Sequence, residues 1–224
     1  MRPQTRRRLT FLAGFTAYFA ALWLLWPTVW VYPLKIFVVF LHELSHGLVA
    51  LATGGSIEFI SLDWREGGET VSRGGNAFLT LSAGYLGSLA WGLGLVGVAR
   101  ARRPGIARAT LLGLGVLMVA VTALYVRGGF GLVFGILFGS ALLVAGRWFP
   151  LAAARVTLTA LGLTSALYAL LDIRSDIIDR PGAPSDALFL AHMTGVPAPV
   201  WGVVWGGLAL VACIWMMRRL YVTS

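Results

Sequence analysis

Charged side chains are scarce in this chain: of its 224 residues, 12% are charged and 58% are hydrophobic. A typical soluble domain carries about 25% charged residues. The mean hydropathy is +0.81. The shortage of charge excludes an ordinary soluble domain. It predicts an integral membrane protein in which residues 1–224 form a single membrane-embedded domain.

Lysine and cysteine occur once each, as Lys35 and Cys213. A lone cysteine in an apolar segment excludes an internal disulfide, and we interpret it as packing. The net charge of +9 therefore comes almost wholly from arginine. The arginines lie at the ends of apolar segments, where topology signals and contacts with lipid headgroups occur. We expect a lipid bilayer as a partner and no nucleic acid. The Gly-, Ala- and Arg-rich composition favours a bacterial cell membrane.

Seven apolar segments follow one another, each close to the ~20 residues that a helix needs to cross a bilayer. They cover 9–31, 34–53, 77–99, 106–126, 129–146, 151–172 and 199–217. This pattern predicts an all-α polytopic membrane protein with about six to seven transmembrane helices. Because four segments separate the polar stretches 54–76 and 173–198, both stretches should emerge on the same membrane face.

The first polar stretch has the pattern of a β-hairpin. Residues 57–64 partly alternate between apolar and polar, 65–68 are typical of a turn, and 69–73 form a second short strand. We therefore predict a short β-hairpin directly after the second apolar segment. The alternative is a solvated loop.

Membrane orientation depends on the first segment, 9–31. Its arginine-rich start is similar to a signal peptide or a twin-arginine signal, but the apolar stretch is long for one, and we interpret it as an uncleaved anchor. If all seven segments cross, the basic residues divide evenly between the two faces. If the first fails to cross, as Pro27 and Pro33 permit, they concentrate opposite the hairpin. The positive-inside rule then places the hairpin outside.

The second apolar segment contains His42-Glu43-Leu44-Ser45-His46. On a helix, histidines at i and i+4 share one face, so both imidazoles can bind one metal ion. Glu43 can then act as general base on a water that the metal activates. Ionisable groups inside a membrane segment are costly and are functional by default. The pattern therefore predicts a zinc site with a catalytic glutamate.

A catalytic zinc site usually has three protein ligands and one open position. No Asp, Glu or His occurs between Glu69 and Asp172, so few candidates for the third ligand exist. They are Glu58, Asp63, Glu66, Glu69, Asp172, Asp176, Asp179, Asp186 and His192. Asp172 is preferred because it ends an apolar segment, where a carboxylate needs a partner. Asp186 is the alternative ligand, although it could instead cap a helix.

The chain resembles the site-2 protease family of intramembrane zinc metallopeptidases, in its compact branch, over roughly 34–200. Three stretches carry the resemblance: 42–46 followed by Thr53-Gly54-Gly55, the small-residue stretch 82–88, and Leu171-Asp172. In the second, Tyr85 replaces the family's Pro and Ser88 its Asn. In the third, Ile173 replaces the family's Gly.

The resemblance implies zinc bound by His42, His46 and Asp172, with Glu43 as the catalytic base. It further implies that Ser88 holds the substrate carbonyl. The hairpin, with Ile57 and Phe59, would receive an unwound substrate by strand addition.

We therefore expect an intramembrane zinc endopeptidase that cleaves membrane-protein substrates. One alternative is a catalytically inactive relative that acts as a membrane scaffold or transporter-like protein, which would not need Glu43. A metal-dependent lipid-modifying enzyme is a weaker alternative, because diiron membrane enzymes use a larger set of histidines than the 3 present here.

Overall fold

The computed structural model of the protein describes residues 3–26, 28–103, 105–180 and 182–223. Within these ranges the chain forms α-helices, three short strands and one π-helical turn. In chain order they are α1 (Pro3–Leu25), α2 (Tyr32–Ala52), β1 (Ser56–Leu62), β2 (Gly68–Arg73), α3 (Ala77–Ala99), α4 (Ile106–Tyr125), β3 (Val126–Arg127), α5 (Gly129–Trp148), α6 (Leu151–Arg174), the π-helical turn (Ser175–Asp179), α7 (Asp186–Thr194) and α8 (Ala198–Thr223).

Six of these helices are long and apolar enough to cross a membrane: α2, α3, α4, α5, α6 with its π-helical extension, and α8. They correspond to six of the predicted segments, which confirms the prediction of a helical polytopic membrane protein. The first predicted segment, 9–31, includes side chains outside those that the structure describes. Its crossing of the membrane stays a prediction.

The predicted hairpin is present as β1 and β2, in a sheet with the strand order β2-β1-β3. β1 and β2 pair antiparallel, from Ser56 opposite Arg73 to Leu62 opposite Gly68. The two residues of β3 pair with β1 in parallel. Sequence analysis missed β3 because two residues carry no alternating pattern. Since β1 is the middle strand, one edge of β2 has no partner strand among the described residues.

The hairpin folds back along α2, the helix that precedes it. Ile57, at the start of β1, lies so close to Gly47 that a Cβ at Gly47 would meet its side chain at 2.6 Å. At the other end, the Tyr32 hydroxyl donates a hydrogen bond of 2.7 Å to the Trp64 carbonyl. The hairpin turn therefore reaches the first turn of α2. The solvated-loop alternative does not describe this segment.

Close contact between α3 and α6 brings α6 near α2, the helix that carries His42 and His46. A Cβ added at Gly92 of α3 would lie 2.7 Å from the Gly162 carbonyl oxygen of α6, and one at Gly162 would lie 2.8 Å from the Gly92 oxygen. Glycine allows such backbone contact between membrane helices. Because α3 also packs on α2, the end of α6 lies beside His42, whose Nδ1 atom is 3.5 Å from Asp172 Oδ2.

The helix α1 runs parallel to α6. The Tyr18 hydroxyl donates to the Ala160 carbonyl at 2.9 Å, and the rings of Trp26 and Tyr168 lie 5.9 Å apart. The second half of α1 therefore lies along α6. The start of α6 lies at the α3–α4 loop, where Arg155 donates to the Ala101 carbonyl. The end of α1 lies near the hairpin turn.

The second polar stretch, 173–198, is more ordered than a loop. It contains the π-helical turn and α7. A cavity of about 610 Å³ is lined both by the hairpin turn, through Arg65 and Glu66, and by the end of α6, through Asp172 and Arg174. The two polar stretches thus meet at one end of the helical bundle, as the count of crossings predicted.

Candidate metal centre

Three potential metal ligands meet between α2 and α7. His42 and His46 lie one helical turn apart on α2, as their spacing predicts. The Asp186 Oδ2 atom lies 3.1 Å from His42 Nε2 and 3.2 Å from His46 Nε2. One ligand atom from each of the three residues lies within 4.8 Å of the others. The arrangement therefore offers two imidazole nitrogens and one carboxylate oxygen to a single point.

The outer ring nitrogens of both histidines also have partners. The Nδ1 atom of His46 lies 2.7 Å from the Thr80 carbonyl oxygen. Because a carbonyl oxygen only accepts, Nδ1 carries a proton, and Nε2 is the nitrogen that can bind a metal once it has lost its own proton. The Nδ1 atom of His42 lies 3.5 Å from Asp172 Oδ2. Metal-binding histidines are typically held by carbonyls and carboxylates in this way.

Asp172, the third ligand preferred from the sequence, lies on the side of His42 that faces away from Asp186. Its carboxylate approaches Nδ1, whereas the atoms that converge with His46 are Nε2 of His42 and Oδ2 of Asp186. The geometry thus favours the alternative ligand, Asp186. Sequence reasoning preferred Asp172 for its position at the end of an apolar helix, but that position does not determine which ring nitrogen the carboxylate meets.

Asp186 is the first residue of α7, and it does not cap the helix. Ser185 is the N-cap, and its hydroxyl accepts a 3.3 Å hydrogen bond from the Leu188 amide. The Asp186 side chain is therefore free to face the histidines. Burial by itself would raise the pKa of this carboxyl group, but His46 and His42 outweigh burial and hold the pKa well below its usual range. A carboxyl group must be ionised to bind a metal, and this lowering of the pKa favours the ionised form of Asp186.

The other candidate ligands have partners elsewhere or are exposed. The paired acids are Glu58 with Arg73 at 2.8 Å, Glu66 with Lys35 at 2.9 Å, Asp179 with Arg174 at 3.5 Å and Asp176 with Tyr85 at 2.5 Å. Asp63 accepts from the Arg65 amide at 3.2 Å, and Glu69 and His192 are exposed. In the described part of the chain, the cluster of potential ligands consists of His42, His46 and Asp186.

Glu43 is buried next to the histidines, and β2 holds it in place. The Thr70 hydroxyl lies 2.8 Å from Glu43 Oε2 and 2.9 Å from the Glu43 carbonyl oxygen, so one of the two accepts its hydrogen at a time. A Cβ added at Gly68 would lie 2.6 Å from Glu43 Oε1. Sequence analysis missed Thr70 and Gly68, because only the folding of the hairpin onto α2 brings them to Glu43.

The small-residue stretch of α3 faces the same cluster. A Cβ added at Gly84 would lie 2.6 Å from Asp186 Oδ2 and even closer to the ring of His42. Glycine at this position therefore leaves room for the ligands. Ser88, one turn further along, is fully buried. Its carbonyl accepts a 2.7 Å hydrogen bond from Ser165, and its hydroxyl has no hydrogen-bond partner within the described residues.

The residues present fit a zinc ion. Two histidine nitrogens and one carboxylate oxygen are a common ligand set for catalytic zinc and leave a fourth position open. The paired Nδ1 atoms and the space beside Gly84 favour the same interpretation, because both leave the Nε2 side of the rings clear.

Comparison with known proteins agrees with the geometry. A family model described as Peptidase M50B-like matches residues 15–216. The comparisons with curated proteins and with solved structures gave no significant match. The matched range includes His42, Glu43, His46 and Asp186. Because it covers far more than half of the sequence, the chain belongs to the Peptidase M50B-like family, a site-2 protease-like family of membrane peptidases.

Proposed function

We propose that the protein is an intramembrane zinc endopeptidase that cleaves membrane-protein substrates. The observation that carries this proposal is the placement of Glu43 beside His42 and His46, whose Nε2 atoms converge with Asp186. We propose these three residues as the zinc ligands, with Asp172 as the group that orients His42. Membrane location and membership of a peptidase family agree with this activity.

When bound, zinc supplies Lewis acidity, which polarises a carbonyl and lowers the pKa of a water. Glu43 takes the proton from the attacking water and passes it to the leaving amine. The Thr70 hydroxyl fixes the Glu43 carboxylate during this transfer. Asp172 and the Thr80 carbonyl fix the tautomers of the two histidines. The buried setting keeps bulk water away from these groups and strengthens their interactions.

A substrate helix must unwind before it can be cut, and the lost backbone hydrogen bonds need new partners inside the membrane. We propose that the free edge of β2 supplies them by strand addition. This edge belongs to the strand that carries Thr70 and Gly68, which both contact Glu43. Ile57 and Phe59, expected to bind substrate, lie on the middle strand instead. We propose that they act by supporting β2.

A scaffold that merely retained the motif is the competing function. The surroundings of Glu43 argue against it, since a metal-binding or packing role does not require a carboxylate fixed by Thr70. Ser88 does not support either function, because it is fully buried. A role for Ser88 in holding the substrate carbonyl requires that α3 moves away from it, and this role stays a prediction.

The first test is the zinc content of the purified protein after Zn²⁺ supplementation, for the wild type and for Asp186→Ala, Asp172→Ala and Asp179→Ala. We expect about one zinc per chain in the wild type, none in Asp186→Ala, and a roughly 10–100-fold weaker affinity in Asp172→Ala. Asp179→Ala is the matched control and should bind as the wild type does. No zinc in the wild type would refute the proposal.

The second test concerns peptide-bond cleavage. New N-termini of membrane proteins are compared between cells that produce the wild type and cells that produce Glu43→Gln. This substitution keeps the size and the Thr70 contact of the side chain but removes the base. Fragments present only with the wild type support the protease, whereas identical fragment patterns with zinc bound in both favour the scaffold.

A further inference from the structure

Tyr85 of α3 contacts the metal centre, although it is not a potential ligand. Its ring lies edge-on to the ring of His42, with centroids 5.4 Å apart and planes at 86°. On its other side it packs against the ring of Trp205 at 5.1 Å. The side chain is 2% exposed. The His42 ring can therefore rotate only if Tyr85 moves.

The hydroxyl of Tyr85 cannot move freely either. It donates a 2.5 Å hydrogen bond to Asp176 Oδ2, and the second oxygen of Asp176 accepts from Arg180 at 2.9 Å. Arg180 also donates to the Ser175 hydroxyl at 3.1 Å. This chain of contacts fixes Tyr85 to the π-helical turn.

Asp172 and Asp176 lie four residues apart, and each meets one member of the same pair of rings. Asp172 approaches Nδ1 of His42, and Asp176 accepts from Tyr85. The end of α6 thus contacts the His42 ring through Asp172, and its π-helical extension contacts Tyr85 through Asp176.

We propose that Tyr85 is a positioning residue of the metal centre: with Asp176 and Arg180 it fixes the His42 ring in the orientation that directs Nε2 at Asp186. This inference rests on the proposed zinc site. It assigns a role to Tyr85, which lies in the small-residue stretch 82–88. Tyrosine offers both a ring for His42 and a hydroxyl for Asp176.

The test uses Tyr85→Phe, which keeps the ring and removes the hydrogen bond, and Tyr85→Leu, which removes both. Zinc affinity is measured by competition with a chelator. The protein is also loaded with Co²⁺, whose visible absorption depends on ligand geometry. We expect about tenfold weaker binding in Tyr85→Phe, a larger loss in Tyr85→Leu, and shifted Co²⁺ bands in both.

Tyr18→Phe is the matched control, because it also removes one tyrosine hydroxyl that donates inside the helical bundle. It should leave zinc affinity and the Co²⁺ bands unchanged. Asp176→Ala tests the link to the π-helical turn. It should reproduce the effect of Tyr85→Phe, and the double variant should be no worse than either single one, since both remove the same contact.

Wild-type affinity and spectrum in Tyr85→Phe and Asp176→Ala would overturn the proposal while leaving the zinc site intact. Additive losses in the double variant would also overturn it. If the wild type itself binds no metal, the proposed function fails and this inference fails with it. The two failures are therefore distinguishable.

Discussion

At the scale of single residues, the absence of a side chain at position 84 matters as much as the side chains around it. A Cβ at Gly84 would lie 2.6 Å from Asp186 Oδ2. Gly84→Ala should therefore push the ligands apart and weaken zinc affinity at least tenfold. Gly94→Ala is the matched control on the same helix, since a Cβ there meets nothing within 4 Å. Equal zinc affinity in both variants would contradict this interpretation.

Thr70 allows a separate test of how Glu43 is positioned. Thr70→Val keeps the shape of the side chain but removes the hydroxyl shared by the Glu43 carboxylate and carbonyl. We expect a roughly 10–100-fold slower cleavage, because a misplaced base transfers the proton less efficiently. Zinc content should stay at the wild-type level. A variant that cleaves normally would show that Thr70 plays no part in catalysis.

Among the site residues, sequence reasoning predicted those that are close together in the chain. His42, Glu43 and His46 lie within five consecutive positions, so the helical period alone brings them to one place. Asp172 and Asp186 are both more than 100 positions from these histidines in the chain, and no local pattern could decide between them. Their distances from the two ring nitrogens of His42 depend on how α6 and α7 pack.

At the scale of elements, one ion pair fastens the hairpin turn to α2. Lys35 Nζ lies 2.9 Å from Glu66 Oε1, with the lysine side chain 7% exposed, and the ammonium lies over the ring of Trp26. Lys35→Met leaves the Glu66 carboxylate without its partner in a partly buried place. We expect a free energy of unfolding lower by roughly 1–3 kcal/mol, measured by thermal or denaturant unfolding in detergent.

Arg73→Met is the control for this prediction. It breaks the ion pair between Arg73 and Glu58, of nearly the same length at 2.8 Å, but the arginine side chain is 82% exposed. An exposed pair contributes little, so this variant should unfold almost as the wild type does. If both variants unfold alike, burial of Lys35 does not determine the strength of the pair.

The contact between α4 and α5 depends on glycines that face each other. A Cβ at Gly139 would lie 2.8 Å from the Val119 side chain and 3.2 Å from the Gly115 carbonyl oxygen. Gly139→Ala should overpack this contact and lower the free energy of unfolding by about 1–3 kcal/mol. Gly113→Ala is the control, because its Cβ has no neighbour within 4 Å. Unfolding in detergent, followed by circular dichroism, measures both.

At the scale of the whole molecule, basic residues distinguish one end of the bundle. The α3–α4 loop, the start of α4, the end of α5 and the start of α6 lie together at this end. They carry Arg100, Arg102, Arg103, Arg108, Arg147 and Arg155. Lys35 lies apart from them, beside the hairpin turn. Arg2 lies outside the described residues. The positive-inside rule predicts that the arginine-rich end faces the cytoplasm and that the proposed metal centre lies towards the outer face.

Single cysteines test this orientation in a Cys213→Ser background. A membrane-impermeant thiol reagent applied to intact spheroplasts should label Pro184→Cys, which lies in the exposed segment before α7. It should label Arg102→Cys, in the exposed α3–α4 loop, only after the membrane is opened. The reverse labelling pattern would show that the metal centre faces the cytoplasm.

The sequence by itself determined the membrane class, the helical segments, the hairpin and the His42-Glu43-His46 part of the site. These features depend on composition and on the spacing of residues within one segment, so they can be predicted from residues that are neighbours in the sequence. Only the tertiary structure decided the rest: the packing of the hairpin along α2, the approach of Asp186 rather than Asp172 to the Nε2 atoms of the two histidines, and the contact of Tyr85 with His42. Each of these joins residues far apart in the chain, and their distance is set by helix packing and by glycines such as Gly84 and Gly92, which let backbones and ligands approach.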